Sequence, residues 1–159
     1  DILVNNAGFA RRAALREMDV QDWDAVIATN LRGAFLCTRE ALKMMTPRKT
    51  GRIINIGSIS AQRVRPQSGA YSASKFGLVG LTHVTALEGR DHGISCGILH
   101  PGNVRVERRT NGNAPDDIEP MMASDELAEA VLTMATLPRH VNMLETTVIP
   151  IEQPFVGRG

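Results

Sequence analysis

Short apolar runs alternate along the chain with longer stretches in which apolar and polar positions are mixed. Four runs have the length of strands and are rich in Ile, Val or Thr: residues 2–4, 53–56, 94–99 and 146–149. The first two are almost continuously apolar, as in strands whose sheet is covered on both faces. The pattern therefore predicts a parallel sheet.

The stretches between these runs have the spacing of amphipathic helices. Apolar positions recur every three or four residues from 22 to about 45, and Pro47 and Gly51 are expected to end that helix. A second helix is predicted from about residue 69 to about 90, and a third begins at Ser124, whose hydroxyl can cap it. Strands alternating with helices and joined by right-handed crossovers predict an α/β fold with helices on both faces of the sheet.

The ligand site of such a sheet lies beyond the carboxyl ends of its strands. Three of those ends are followed here by residues 5–8, by Gly57-Ser58 and by residues 100–102. The long irregular stretch from residue 103 to 122 is either a lid over that site or a solvated surface loop, and the sequence favours neither. The residues at these strand ends are therefore the first candidates for ligand binding and catalysis.

Composition and charge narrow the class of protein. The 159 residues are 43% hydrophobic and 22% charged, with a net charge of +1, which is typical of one soluble globular domain and argues against a nucleic-acid binder. Two cysteines cannot make a disulfide framework, and no apolar run approaches the ~20 residues of a membrane span. The histidines lack metal-ligand spacing with Cys or acidic residues. We expect a cytoplasmic protein without a metal site that binds neither nucleic acid nor membrane.

Tyr71 and Lys75 lie four residues apart near the start of the second helix, so both side chains project from one face. A tyrosine that exchanges protons near pH 7 needs a pKa well below its usual value of ~10. A cation one turn further on and the positive end of the helix dipole both favour the phenolate. Taken by itself, this spacing is better explained by an ordinary pair of surface residues.

Ser58 and Asn30 are two further candidates. Ser58 stands at the carboxyl end of the second predicted strand, where its hydroxyl either donates to a carbonyl of a ligand or satisfies the local backbone. Asn30 falls on the core-facing stripe of the first predicted helix, where a buried amide needs partners. It either bonds a neighbouring strand for structural reasons or disturbs the helix and anchors a water molecule.

Together these residues carry a family resemblance. In this order along the chain stand Asn5-Asn6-Ala7-Gly8, Asn30, Gly57-Ser58, Tyr71-Ser72-Ala73-Ser74-Lys75 and Pro101-Gly102. The set resembles the classical short-chain dehydrogenase/reductase family and covers nearly the whole chain. Sugar epimerases and dehydratases of the family's extended branch also use a Tyr-x-x-x-Lys pair, but the Asn-Asn-Ala-Gly segment and Asn30 favour the classical branch.

The resemblance implies a role for each catalytic candidate. Tyr71 would be the general acid/base of an NAD(P)-dependent oxidoreductase that interconverts an alcohol and a carbonyl. Lys75 would lower the pKa of Tyr71 and bind the nicotinamide ribose. Ser58 would hold and polarise the carbonyl, and Asn30 would position a water that links Lys75 to solvent.

The resemblance also implies a cofactor site and an assembly. Asn5, Ala7 and Gly8 would line the adenosine side of NAD or NADP, and Pro101, Gly102 and Val104 would flank the nicotinamide, with Tyr71 and Lys75 between them. The two long helices would form a homodimer or homotetramer. The partner expected at the site is a small alcohol or carbonyl compound.

Two features depart from the family pattern. Val106 stands where the family usually has a Thr, and the Gly-rich turn that seats the pyrophosphate has no counterpart in residues 1–159. We therefore expect a single partial Rossmann-like domain, a doubly wound α/β/α sheet lacking its first strands and Gly-rich turn, and part of a longer protein. The alternative is a truncated or degenerate chain that oligomerises without catalysis.

Overall fold

The four predicted strands form one parallel sheet. The computed structural model describes residues 1–105 and 119–155. The strands are β1 (Ile2–Asn5), β2 (Gly51–Ile56), β3 (Ile94–Pro101) and β4 (Glu145–Val148), and they lie side by side in chain order. This arrangement with helices on both faces confirms the predicted α/β fold.

Five helical segments of at least six residues accompany the sheet in the described part of the chain. They are α1 (Val20–Ile27), a π-helical segment (Ala28–Gly33), α2 (Ala34–Arg48), α3 (Gly69–Gly89) and α4 (Ser124–Thr136). None of them is both long and apolar enough to cross a membrane.

The first predicted helix differs from the observed one in its middle and at its end. A single helix over residues 22–45 was expected, but the π-helical segment (Ala28–Gly33) separates α1 from α2. Pro47 lies inside the last turn of α2, so it is not the stop we predicted. The helix ends because Lys49 adopts a left-handed conformation and donates its N–H to the carbonyls of Met45 and Thr46.

Residues of β2 and β3 alternate between the two faces of the sheet. Ile53 and Cys96 pack against α2 with Met45, whereas Ile54 and Leu99 pack against Met134 of α4. The helices α2 and α3 therefore share one face, and α4 covers the other.

The position of α4 gives one crossover an unexpected hand. The strands follow one another in one direction across the sheet, so right-handed crossovers would place every connecting helix on the same face. The connection from β3 to β4 through α4 therefore has the opposite hand to the first two. Our prediction of right-handed crossovers is wrong for this unit, which is held on its face by the packing of Met134 and by Arg52.

The strand β1 is less covered than its sequence predicts. Leu3 packs against the cluster beneath α2, but Ile2 is 51% and Val4 42% exposed. The nearly continuous apolar run predicted cover on both faces. Only the face that carries Leu3 is covered by described residues.

The first turn of α4 is capped by a glutamate. Ser124 is the first helical residue and Ala123 precedes it, so the Ser124 hydroxyl is not the cap that we expected. Instead, the Ala123 N–H donates to the Glu126 carboxylate at 2.6 Å. A carboxylate in the first turn also interacts favourably with the helix dipole.

The Arg52 side chain of β2 binds the segment that follows the carboxyl-terminal end of α4, and replacing it should destabilise the fold. Its buried guanidinium donates to the carbonyls of Leu137, Pro138 and Val141 at 3.0, 3.3 and 3.3 Å. We expect Arg52→Ala to lower the free energy of unfolding by about 2–4 kcal/mol, because these carbonyls lose a charged donor. Denaturant unfolding measures the change.

Arg39→Ala is the matched control for this prediction. Arg39 pairs with Glu40 on the exposed face of α2. Exposed pairs of this kind contribute about 0–1 kcal/mol, so this variant should unfold close to the wild-type midpoint. Equal stability losses in the two variants would contradict the role given to Arg52.

Candidate active site

Residues from three strand ends and from α3 meet at the carboxyl edge of the sheet. The loop after β1 contributes Gly8, the turn after β2 contributes Ser58, and the first two turns of α3 contribute Tyr71 and Lys75. The end of β3 contributes His100, which contacts Ser58. The fold thus brings the catalytic candidates of the sequence analysis to one edge.

Lys75 lies at the centre of this edge and is 4% exposed. Its Nζ donates to the carbonyl of Ile56, at the end of β2, at 2.7 Å. A β-carbon added to Gly8 would lie 3.6 Å from the same Nζ, so the loop after β1 also approaches the ammonium closely. Burial lowers the pKa of Lys75 from 10.5 to about 8.

Tyr71 lies one turn before Lys75 on the same helix. The Lys75 Nζ is 5.7 Å from the centroid of the Tyr71 ring. The ring is half-buried, and within the described ranges its hydroxyl makes no hydrogen bond to the protein. The hydroxyl is therefore available to a ligand.

Ser58 is nearly buried, and both its hydroxyl oxygen and its carbonyl oxygen accept hydrogen bonds from backbone N–H groups. Its Oγ accepts the N–H of Ser60 at 3.1 Å, and its carbonyl accepts the N–H of Ala61 at 3.0 Å. One of the two roles considered for the Ser58 hydroxyl was to satisfy the local backbone, and its oxygen does this by accepting the N–H of Ser60. The hydroxyl hydrogen stays free to donate, so a role toward a carbonyl compound remains open to the same side chain.

Asn30 lies in the π-helical segment and joins two elements of the site. Its Nδ2 donates to the carbonyl of Phe9 at 2.9 Å and to the Ser74 Oγ at 3.1 Å. Its Oδ1 accepts the N–H of Phe9 at 3.0 Å. Because both amide donors have protein partners, this side chain ties the loop after β1 to α3. The water that the resemblance assigns to Asn30 stays a prediction.

The Asn5 side chain is directed into the sheet–helix interior. Its Nδ2 donates to Asn55 Oδ1 at 2.8 Å and to Thr38 Oγ1 at 3.1 Å, and Asn55 in turn donates to Thr82 Oγ1 at 2.8 Å. Asn5 and Leu3 share one face of β1, which is the signal that could have predicted this direction. Only the backbone of Asn5 is left to line a cofactor, together with the exposed Ala7 and Gly8.

The segment after β3 brings in a residue that the sequence analysis did not identify. Gln153 is buried, and its Oε1 accepts the N–H of Asn103 at 2.8 Å. A β-carbon on Gly102 would collide with that oxygen, so a larger residue there would displace the buried Gln153 side chain. Pro101 and Gly102 are thereby fixed at the strand end, and Val104 follows in a bridge to Met122. Val106 and most of the 103–122 stretch lie outside the described residues.

The two arginines of the β2–α3 loop have partners from the carboxyl-terminal part of the chain. Arg65 donates to Glu119 Oε2 at 2.8 Å, and the same oxygen accepts from Asn103 Nδ2 at 2.8 Å. The Arg63 guanidinium lies 6.0 Å from the centroid of the Phe155 ring. Neither contact was predicted. Among the described residues, no group of three His, Cys, Asp or Glu side chains is arranged to bind a metal.

Residues 1–117 match the family model for short chain dehydrogenase. The match covers most of the chain and includes Asn30, Ser58, Tyr71 and Lys75. The chain belongs to the short-chain dehydrogenase family, which confirms the resemblance seen in its sequence.

Relatives with names and solved structures agree with this assignment. A 3-oxoacyl-(acyl-carrier-protein) reductase of Synechocystis sp. is 42% identical over 114 residues, which are 72% of this chain and 46% of that protein. A D-beta-hydroxybutyrate dehydrogenase of Cupriavidus necator is 46% identical over 102 residues, 64% of this chain and 40% of that protein. The solved structure of ElxO with NADP bound has a TM-score of 0.85 and 28% identity, covering 94% of this chain and 65% of that one. The chain spans about half the length of the curated relatives it matches.

Proposed function

We propose that this protein is an NAD(P)-dependent oxidoreductase that interconverts an alcohol and a carbonyl by hydride transfer, with Tyr71 as general acid/base. The observation that carries the proposal is the buried ammonium of Lys75, which lies beside the Tyr71 ring and uses a backbone carbonyl as its hydrogen-bond acceptor. A charge that is expensive to bury and that adjoins a free hydroxyl is typical of a catalytic site.

The residues at this edge fit a nicotinamide nucleotide. Lys75 has N–H groups beyond the one donated to Ile56, and Gln153 Nε2 is a buried donor without a partner among the described residues. Tyr71 and Lys75 would hold the nicotinamide ribose. Pro101, Gly102 and Val104 would flank the nicotinamide ring, and Asn5, Ala7 and Gly8 would line the adenosine side. The bound NAD or NADP supplies the hydride donor or acceptor.

The side chains of this chain would carry the proton and the charge of the reaction. Tyr71 would give a proton to the substrate oxygen in reduction, or take it in oxidation, at its hydroxyl. The Lys75 cation would stabilise the phenolate that this leaves, and the Ser58 hydroxyl would donate to the same substrate oxygen. Donors fixed before the reaction stabilise the developing charge without reorganising water.

The named relatives suggest the substrate class. A 3-oxoacyl reductase and a hydroxybutyrate dehydrogenase both act, by their names, on compounds with oxygen at the third carbon of an acid or thioester chain. We therefore propose a small 3-hydroxy or 3-oxo compound as substrate. Arg65 is paired with Glu119, so we do not assign it to an anionic substrate.

The assembly and its location belong to the same proposal. α3 has Phe76, Val84 and Leu87 on one exposed face, and α2 exposes the neighbouring Phe35 and Leu36 near its start. Exposed apolar faces of this extent favour association, so we propose a homodimer or homotetramer through these two helices. The free thiols of the two cysteines accord with a cytoplasmic location.

Turnover of 3-hydroxybutyrate and of a 3-oxoacyl thioester with each of NAD(H) and NADP(H) tests the function. We expect Ser58→Ala to lower kcat by about 10²-fold or more, because one donor to the developing oxyanion is lost. Absorbance of the reduced nicotinamide at each substrate concentration gives kcat and KM.

Ser60→Ala is the matched control, since the Ser60 contact to Ser58 is made by its backbone N–H. It should keep wild-type turnover. Association of the protein in solution without nicotinamide turnover on any substrate would instead support a chain that oligomerises without catalysis.

A further inference from the structure

His100 is a buried titratable residue that the proposed chemistry does not use. It is the residue before the last one of β3 and is 0% exposed. Its Nδ1 lies 2.9 Å from the carbonyl oxygen of Ser58, and its Nε2 has no hydrogen-bond partner in the described chain. The same Nδ1 also lies 3.4 Å from the backbone N of Ser58, a contact in which the ring nitrogen would have to accept. One ring nitrogen cannot donate to the carbonyl and accept from the N–H at once. The contact with the carbonyl is the shorter of the two, and a carbonyl oxygen can only accept, so we place the hydrogen on Nδ1.

We propose that His100 is a positioning residue that fixes the Ser58 backbone, and with it the hydroxyl, by donating a hydrogen bond from Nδ1 to the Ser58 carbonyl. The inference rests on the proposed function insofar as Ser58 acts on the substrate. The contact itself joins residues 42 positions apart, so it connects the ends of two neighbouring strands.

The packing around Gly57 supports a fixed imidazole. A β-carbon added to Gly57 would lie 2.7 Å from His100 Nδ1 and 3.0 Å from its Cε1. The turn after β2 therefore rests directly on the ring, with no room for a side chain between them. A smaller residue at position 100 would leave the turn without this support.

The Ser58 turn has two other hydrogen bonds that report on its position. The Ser60 N–H is donated to Ser58 Oγ, and the Ala61 N–H is donated to the Ser58 carbonyl that also accepts from His100. If His100 releases the carbonyl, both amides lose a fixed acceptor. Their exchange with solvent is therefore a direct measure of the positioning.

Burial holds the pKa of His100 below its usual value, and the contact with Ser58 does not require a charged ring. Burial and, to a smaller extent, Lys75 of α3 lower the pKa of His100. The hydrogen bond with the Ser58 backbone raises it, as does Glu145 of β4, whose carboxylate lies 3.7 Å from Nε2. The same carboxylate is paired with His83 of α3 at 2.6 Å. Protonation at Nε2 would leave the Nδ1 hydrogen in place, so the bond to Ser58 does not depend on the charge of the ring.

The tautomer of His100 in the unmodified protein is the first test. We expect nitrogen chemical shifts from NMR at pH 8 to show a protonated Nδ1 and a bare Nε2. A ring protonated only at Nε2 could not donate to Ser58 and would overturn the proposal. This measurement needs neither a variant nor catalytic activity.

Amide exchange in three variants is the second test. His100→Leu removes the donor and should speed exchange of the Ser60 and Ala61 amides by about tenfold. His100→Asn keeps an N–H donor at the place of Nδ1 and should stay within about threefold of wild type. His83→Gln is the control, since it alters the contact to Glu145 but not the one to Ser58.

Unchanged exchange of the Ser60 and Ala61 amides in His100→Leu would overturn the proposal. If the amides of β2 also lose protection in His100→Leu, the substitution has disturbed the strand as a whole. The exchange rates of His100→Asn and the tautomer of the unmodified protein then decide whether the hydrogen bond positions Ser58.

Kinetics separates this inference from the proposed function. A displaced Ser58 should lower kcat by about tenfold in His100→Leu, with a smaller change in KM and recovery in His100→Asn. If Ser58→Ala leaves turnover unchanged, the function proposed for Ser58 fails, although the exchange and tautomer results still decide the contact. If Ser58→Ala is impaired while exchange and kcat in His100→Leu match wild type, the inference on His100 fails alone.

Discussion

Replacing Tyr71 by Phe should abolish turnover while leaving the fold unchanged and the cofactor still able to bind. The substitution removes only the hydroxyl, which is the group that exchanges a proton with the substrate oxygen. General acid/base groups contribute about 10²–10⁴-fold to rates, and loss of the shared donor to the oxyanion adds to this. We expect kcat to fall by at least about 10³-fold, as measured by nicotinamide absorbance.

The structure supplies the reason why stability should be retained. Within the described ranges the Tyr71 hydroxyl has no protein hydrogen bond, so its removal leaves no buried group unpaired. The ring and its contact with Lys75 stay in place. Thermal unfolding should therefore match wild type, and titration with NADPH should still show binding, because Lys75 remains available to the ribose. Turnover within about tenfold of wild type would exclude Tyr71 as the acid/base.

Local spacing explains why most catalytic candidates could be predicted from the sequence. Tyr71 and Lys75 share a face because a helix brings residues four apart together, which requires no knowledge of the rest of the fold. Ser58 was found because the end of a short apolar run marks the active edge of a parallel sheet. Both rules act over a few residues, and the structure places these three side chains at one edge.

Contacts between distant segments could not be predicted in the same way. His100 meets Ser58 only after β2 and β3 pair in their observed register. Gln153 meets Gly102 only after β4 and the segment behind it return to the end of β3. Each contact depends on register and on side-chain direction, which a single sequence does not contain.

The errors in the fold have equally specific causes. The π-helical segment adds a wider turn that shifts the apolar stripe by only one residue, so the periodicity of residues 22–45 still fitted one continuous helix. The hand of the last crossover depends on which face α4 covers, and this follows from the packing of Met134 and Arg52 rather than from local preference. A statistical rule on handedness could not anticipate it.

Lys75→Met should inactivate the protein and at the same time stabilise it at neutral pH. Loss of the cation removes the group that would stabilise the charge on the Tyr71 oxygen during proton transfer and that would bind the ribose, so kcat/KM should fall by about 10³-fold or more. The gain in stability comes from burial, which lowers the pKa of Lys75 from 10.5 to about 8. That difference corresponds to about 3 kcal/mol of unfavourable burial in the charged state. Met has a similar length and no charge, and it loses only the hydrogen bond to Ile56.

The pH dependence of stability distinguishes this explanation from simple repacking. Between pH 8 and 10.5 the unfolded chain keeps a proton on Lys75 that the folded chain has released, so wild-type stability rises with pH across that window. The burial cost is fully present below pH 8. Lys75→Met should therefore exceed wild type by about 1–2 kcal/mol at pH 7, with the advantage shrinking toward pH 10.5. Denaturant unfolding of both proteins at several pH values measures it. Two results would contradict the explanation: Lys75→Met is less stable than wild type at pH 7, or it is more stable by an amount that does not change with pH. Either result would show that burying the Lys75 ammonium does not destabilise the folded protein.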